Sequence, residues 1–325
     1  MIVPTYWAEA RVKQRRGNQQ ITIRRFGWSD RSQDDAQQHA DTRARDALNE
    51  AMAGNPILRR EPKVAYNGAD GVPIREEVIS RHGDTVITRN GYGALCLNTE
   101  NVLFADVDFE QNVTNTGVML TMLLIVALAV AVGLAGFGWG IAFAVLIGGL
   151  LLSYALAQML FKGWLALTGG AEQRAYRRVQ QFSRQHPDWH LRLYRTPAGF
   201  RVLVVHQLFD PADPAVHACF LALHTDPLYQ QMCQNQRCFR ARVSPKPWRI
   251  GIDKHLRPRP GIWPIAPEQL PARQQWVAAY EAAAARFASC RFVEALGSKT
   301  THPDALAVQQ LHDQLCRADR QLALA

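Results

Sequence analysis

Residues 111–161 include no Asp, Glu, Lys, Arg or His. Ionisable side chains inside a membrane mark proton and ion pathways, so their absence argues against one through this stretch. Catalytic signatures are missing elsewhere too: there is no G-x-x-x-x-G-K-[ST] loop, no G-x-S-x-G, no H-E-x-x-H and no G-x-G-x-x-G after a strand pattern. The usual sequence marks of P-loop NTPases, serine-elbow hydrolases, zincins and dinucleotide-binding enzymes are therefore lacking. Cysteine is scarce, six in 325 residues. That is too few for a dense disulfide framework, and a cytoplasmic setting keeps them reduced. The opening segment (MIVPTYWAEARVKQRRG) lacks the apolar h-region of a signal peptide, which leaves the uncharged run as the expected insertion signal.

That run contains two apolar blocks, residues 117–136 and 137–161. A membrane-crossing helix needs roughly 20 apolar residues to span a hydrocarbon core of about 30 Å. Both blocks suffice, and Gly136, Gly138 and Gly140 predict a tight turn between them, so residues 111–161 are expected to form a transmembrane helical hairpin in the lipid bilayer. Gly133, Gly136, Gly140, Gly148 and Gly149 suit close packing of its helices. The alternative is a buried helix pair in a soluble protein. Lys162, Arg174, Arg177 and Arg178 follow the second block, and the positive-inside rule places them, and with them both termini, on the cytoplasmic face of the inner membrane. Charge is uneven: residues 1–110 hold 15 Lys and Arg against 16 Asp and Glu, whereas residues 162–325 hold 22 against 12. Such a basic segment suits anionic lipid, nucleotide or nucleic acid.

Residues 20–26 (QITIRRF) alternate and read as a strand. Ser29 or Ser32 is placed to cap a helix running to about Ala53, with Asp34 and Asp35 in its first turn and Gly54 as its stop; His39 is expected on its solvated face. Residues 67–73 read as a loop. Strands are predicted at 85–88, 94–97 and 102–109, a helix at 170–185, a hairpin at 189–196 and 200–206, short helices to about His224 and Gln234, and a strand at 238–243. One long helix is expected over 271–296 with Gly297 as its C-cap, and a last helix over 303–324. The domains expected are an N-terminal α/β segment (1–110), the transmembrane hairpin (111–161), a second α/β segment completing the sheet (162–260) and a helical C-terminal region (261–325).

Three groups of residues bear on chemistry. Asp106 and Asp108 alternate onto one face of a strand, where a divalent cation such as Mg²⁺ or Mn²⁺ would relieve their repulsion; two solvated acids at a strand end is the plainer reading. Residues 237–259 hold eight Lys or Arg and one acid, with Phe239 and Trp248 interleaved, a pattern suited to single-stranded nucleic acid or, equally, to lipid. Cys233 and Cys238, with His217, Cys219, His224 or His255, stand at the edge of zinc-ligand spacing; cysteines packed in a reduced core explain them as well.

The acidic strand (Asp106-Val107-Asp108), a helix, and a hairpin whose turn runs Pro197-Ala198-Gly199-Phe200-Arg201 together resemble the palm of the archaeo-eukaryotic primase and primase-polymerase superfamily. The resemblance covers residues 85–110 and 170–252. It implies an α+β fold, with a palm-like (RRM-like) antiparallel sheet and helices interrupted by the transmembrane hairpin and followed by a helical C-terminal extension. It also implies metal on Asp106 and Asp108 and nucleotide phosphates near Arg201. Two departures stand out: Arg201 occupies a position where that family usually has His, and Arg240 and Arg242 stand where it has a third carboxylate, which Asp253 in a basic loop does not readily replace. The function expected is thus phosphate binding, of nucleotide or nucleic acid, through Arg201, Arg240, Arg242, Lys246 and Arg249. The alternatives are a membrane-anchored scaffold whose C-terminal helices dock a protein partner, and an active metal-dependent nucleotidyltransferase, which the missing carboxylate disfavours.

Overall fold

A computed structural model describes residues 3–16, 19–61, 72–253, 255–256 and 263–325; the loop expected at 67–73 lies mostly outside them. The chain is a mixed α+β protein with antiparallel sheets. It divides into two units: residues 1–107 with 182–325, and the inserted residues 108–181.

The first unit opens with β1 (Tyr6–Arg16) and β2 (Gln19–Ser29), an antiparallel pair in register from Tyr6↔Ser29 to Arg16↔Gln19. Helix α1 (Gln33–Ala53) follows, capped by the Ser32 hydroxyl on the Asp35 amide and closed by Gly54 at φ +91°. It packs small against small: Ala36, Ala40 and Ala44 bury against Ala8 and Ala10. Gly27 lies so close that a Cβ there would sit 2.1 Å from the Ala40 nitrogen. His39 differs from expectation. Instead of facing solvent it is half-buried edge-on against Trp28, because α1 lies across β2 with that face inward.

Next come β3 (Glu77–His82), β4 (Thr85–Arg89), β5 (Leu95–Thr99) and β6 (Phe104–Asp108). After the inserted helices, α2 (Asn115–Leu134), α3 (Trp139–Leu151), α4 (Ser153–Leu167) and α5 (Gly170–Gln185), the chain resumes with β7 (His190–Thr196), β8 (Gly199–Val204), α6 (Pro214–Leu223), α7 (Pro227–Gln236) and β9 (Phe239–Arg242). It ends with α8 (Leu270–Ala284), β10 (Phe287–Ala288), β11 (Arg291–Gly297), α9 (Pro303–Cys316) and β12 (Ala323–Leu324).

The strands expected in one palm-like sheet fall into two. One has the order β3-β4-β5-β9, the other β11-β7-β8-β6, with β1-β2 and β10-β12 as separate pairs. The DVD strand and the Gly199 hairpin share a sheet, as expected, but the strand with Arg240 and Arg242 belongs to the other. The two are tied across by Tyr229, whose hydroxyl donates to the Phe104 carbonyl and accepts from the Arg240 amide.

The C-terminal region is not the helical extension expected. Helix α8 stops at Ala284, and residues 291–297 form β11, paired antiparallel with β7. Their exposure alternates residue by residue, the period-two pattern of a strand. The stripe of Trp276, Tyr280, Ala283 and Phe287 does pack together, with Ile250 and Ala325, which is why its helical spacing misled. Gly297 caps no helix: at φ +77° its Cα faces the Trp189 carbonyl, where a Cβ would stand 2.0 Å from the oxygen. Helix α9 closes at Arg317 (φ 56°) rather than reaching 324.

In the inserted unit, α2 is long and apolar enough to cross a membrane. The second block is not one straight helix. It breaks after Leu151 into α3 and α4, bent by 69°, and passes the test for a span only as a pair. The break follows Gly148-Gly149 and precedes Ser153, the residue types at which helices kink. Helices α2 and α3 approach where side chains vanish: Gly149 against Ile125 and Gly133 against the Trp139 ring, with the chain reversing at Gly136 and Gly138, both at positive φ. Gly140 and Gly148 face open space. Helix α4 carries on past the expected end at Phe161 to Leu167 and includes Lys162. Glu110 is paired by Arg174 (3.2 Å) and Arg178, and the Arg174 guanidinium also covers Trp164.

The Gly27→Ala variant should lose about 1–3 kcal/mol of stability, because its methyl meets α1 backbone that no rotamer change relieves. Denaturant unfolding of the full chain measures this, and an unchanged midpoint would contradict the Gly27–α1 contact.

Candidate functional site

Arg201 stands on β8 between β7 and β6, where its guanidinium is buried. A charge removed from water needs an opposite charge and its hydrogen bonds satisfied. The neighbouring strand β6 supplies both: Nε donates to Asp106 Oδ1 (2.8 Å) and Nη2 to Asp106 Oδ2 (3.3 Å), while Nη1 donates to the Arg242 carbonyl (2.8 Å). Burial pushes the Asp106 carboxyl up, but Arg201 more than offsets this and holds it below the usual carboxylate range. The residue proposed for metal and the first proposed for phosphate are therefore partners of each other. Asp106 keeps an outer edge in solvent, its side chain being 39% exposed. Asp108 is exposed and belongs to the inserted unit.

Arg240 is also committed internally. It forms a two-oxygen ion pair with Glu76 (2.7 and 2.8 Å) and donates to Asn98 Oδ1 (3.0 Å), while the Thr88 hydroxyl donates to Glu76 (2.7 Å). Both charges are buried. Arg240, expected to contact phosphate, thus has both Nη nitrogens engaged by the network that makes its burial tolerable. Arg242 lies half-buried beside the Tyr92 phenol. Lys246 and Arg249 are half-buried as well, and the Lys246 ammonium sits 5.4 Å from the centre of the Trp248 ring, which is itself exposed and flanked edge-on by Tyr92.

The zinc expectation at Cys233 and Cys238 does not hold among the described residues. Both thiols are buried, whereas His217, His224 and His255 are exposed. Burial pushes the Cys238 thiol up to about 12, which favours a neutral packed thiol over a ligand.

A different cluster gathers beside Arg201. Cys290 (between β10 and β11), His312 and Cys316 (both on α9) are buried, with their ligand atoms within 4.8 Å of one another. Cys290 Sγ is 3.9 Å from His312 Nε2, and Arg201 Nη1 approaches the same nitrogen at 3.4 Å. The other ring nitrogen, Nδ1, is 3.0 Å from Asp313 Oδ1, and Asp313 Oδ2 accepts from Arg192 (3.0 Å), whose Nε donates to the Tyr194 hydroxyl (2.9 Å). Burial pushes the Asp313 carboxyl up, but His312, Tyr194 and Arg192 bring it below its ordinary range. Asp313 takes Nδ1 as its partner, so Nε2 is the ring nitrogen on the side of the cysteines. The sequence contained one signal of this: His312 and Cys316 are four apart, on one face of a helix. Cys290 had none, since its segment was read as helix.

The Asp106 contribution to stability depends on pH. Because its folded pKa is depressed, its stabilisation is complete above the unfolded value of about 3.9 and disappears as pH falls through the folded value. Asp106→Asn should therefore be less stable than wild type near neutral pH, and its melting temperature should decline less steeply in acid. A variant that loses stability with acid as steeply as wild type would contradict the pairing.

Compared with known protein families, with characterised proteins and with solved structures, the chain matches none.

Proposed function

We propose that the chain is a membrane-anchored scaffold: the inserted unit crosses the bilayer as a two-pass hairpin, α2 out and the bent α3–α4 pair back, and holds the α+β body at the cytoplasmic face. One observation carries this reading. The inserted helices turn their apolar side chains outward: only 17% of the apolar window of α2 is buried, and Leu120, Leu123, Leu124, Leu128, Ile141 and Phe143 are all exposed. In water such a surface has no counterpart in a stable monomer, whereas in hydrocarbon it is the favourable one. The absence of any charge over 111–161 and the cluster of Lys162, Arg174, Arg177 and Arg178 after it support the orientation by the positive-inside rule.

A scaffold is preferred to a phosphate-binding palm because the two arginines most central to that palm, Arg201 and Arg240, are neutralised within the body. Helices α8 and α9, expected to dock a partner, are built into the core through Tyr280, Ala284, Ala305 and Val308, so a partner would be met by other surfaces. One observation keeps phosphate binding as a second reading, with single-stranded nucleic acid or nucleotide as the ligand: the exposed Trp248 ring carries Lys246 on it and Tyr92 at its edge, the kind of platform on which bases stack.

In cell fractions the chain should stay in the membrane pellet through alkaline carbonate washing, and Leu124→Arg should weaken insertion by about 3–4 kcal/mol. Reporter fusions at both termini should read cytoplasmic and a fusion at Gly136 should read external. Release by carbonate, or termini on opposite sides, would overturn the anchor. For the second reading, the full chain in detergent is titrated with a labelled single-stranded oligonucleotide beside Trp248→Ala. A scaffold shows weak, salt-sensitive binding that the variant leaves unchanged, whereas a loss of tenfold or so in the variant would favour a stacking site.

A further inference from the structure

The geometry points to a metal centre of the thiophilic class, Zn²⁺ or Cu⁺, held by Cys290, His312 and Cys316. Four features of the cluster converge on this. The donor set is two thiols and an imidazole, the ligands that soft and borderline ions select. The spacing fits. Tetrahedral Zn²⁺, with bonds of about 2.3 Å to sulfur and 2.0–2.1 Å to nitrogen, separates its sulfur and nitrogen ligands by about 3.6 Å. Cys290 Sγ and His312 Nε2 are 3.9 Å apart, and all three ligand atoms lie within 4.8 Å. The Cys290–His312 pair needs a few tenths of an ångström of contraction, and the three residues supply three of the four tetrahedral positions.

The imidazole is also set up as a ligand is. Its Nδ1 lies 3.0 Å from Asp313 Oδ1, and Asp313 Oδ2 accepts from Arg192 at 3.0 Å. A carboxylate behind a histidine fixes the tautomer, aims Nε2 at the ion and raises its basicity. The fourth feature is charge. Arg201 reaches Nε2 only at 3.4 Å, the long limit of a hydrogen bond, while its short contacts go to Asp106 and the Arg242 carbonyl. Turning Nε2 to a metal would thus cost Arg201 only its longest contact. Two thiolates neutralise Zn²⁺, and Arg201 is already neutralised by Asp106, so filling the centre with Zn²⁺ leaves no uncompensated charge in the core.

The ion would act structurally. Cys290 lies in the turn joining β10 to β11, and Cys316 is the last residue of α9, so one ion ties the end of that helix to the edge strand added beside β7. At present that junction is joined by single hydrogen bonds, such as the Ser289 amide to the Cys316 carbonyl (3.1 Å).

The test uses the full chain, purified in detergent with reductant and without chelator. Elemental analysis should find about one Zn²⁺ or Cu⁺ per chain, and exchange into Co²⁺ should give the thiolate-to-cobalt charge-transfer absorption of a cysteine-ligated site. Cys290→Ser and Cys316→Ser should each lose both signals, while Cys233→Ser with Cys238→Ser, which removes as many thiols elsewhere, should keep them. Should a Cys290 or Cys316 variant fail to fold, the wild-type metal content and Co²⁺ spectrum decide alone. A wild-type chain that takes up neither Zn²⁺ nor Cu⁺ and shows no charge-transfer band on Co²⁺ addition would overturn the proposal. So would a disulfide joining Cys290 to Cys316 in the chain as purified, because those sulfurs are then unavailable to metal.

Discussion

Two arginines inside the α+β body find their carboxylates on the far side of the apolar insertion. Arg240 pairs with Glu76, and Arg201 with Asp106. Neither guanidinium is tolerable in the core alone, since stranding one partner of a buried pair costs about 3–5 kcal/mol. The pairs therefore impose a constraint on the chain: residues before the insertion and residues after it must meet, strand beside strand, for either to be folded. The sheet orders express this directly, with β9 added to β3-β4-β5 and β6 added to β7-β8-β11. A chain built this way has one folded body whose sequence is interrupted, and the interruption is free to be as apolar as a membrane requires.

The same constraint explains what the sequence disclosed and what it hid. Helix α1 was legible to within a turn, because its serine cap, first-turn acids and Gly54 stop are local signals. Strands β4, β5 and β6 and the β7–β8 hairpin were legible from alternation and turn residues. Strands β1 and β3 were not recognised, since charged residues such as Arg11 and Arg81 dilute their alternation. The fate of the basic residues was hidden altogether. Arg201 and Arg240 look, in a sequence, like any exposed strand arginines, and only the partners 95 and 164 residues away turn them into core. An excess of positive charge thus pointed to a polyanion while its central members were already satisfied. Cys290 was hidden for a related reason: the stripe over 276–287 continued a helical spacing past the end of α8 at Ala284 and into β10.

The apolar insertion was the most legible feature, and its detail was the least. Its hydrophobicity and absence of charge are properties of the sequence alone, but the bend between α3 and α4 comes from Gly148, Gly149 and Ser153 acting together where Gly149 meets Ile125. Small residues there do two things, close approach and kinking, and a composition count does not separate them.

If the strands on either side of the insertion form one body, the Glu76–Arg240 pair must be coupled. A double-mutant cycle in the full chain, with Glu76→Gln, Arg240→Met and both together, measures it by unfolding in detergent. The account predicts that each single change destabilises strongly, by about 3–5 kcal/mol, and that the double variant recovers much of the loss because no charge is left stranded in the core. Additive losses would contradict it and would leave the two segments as separately folded domains.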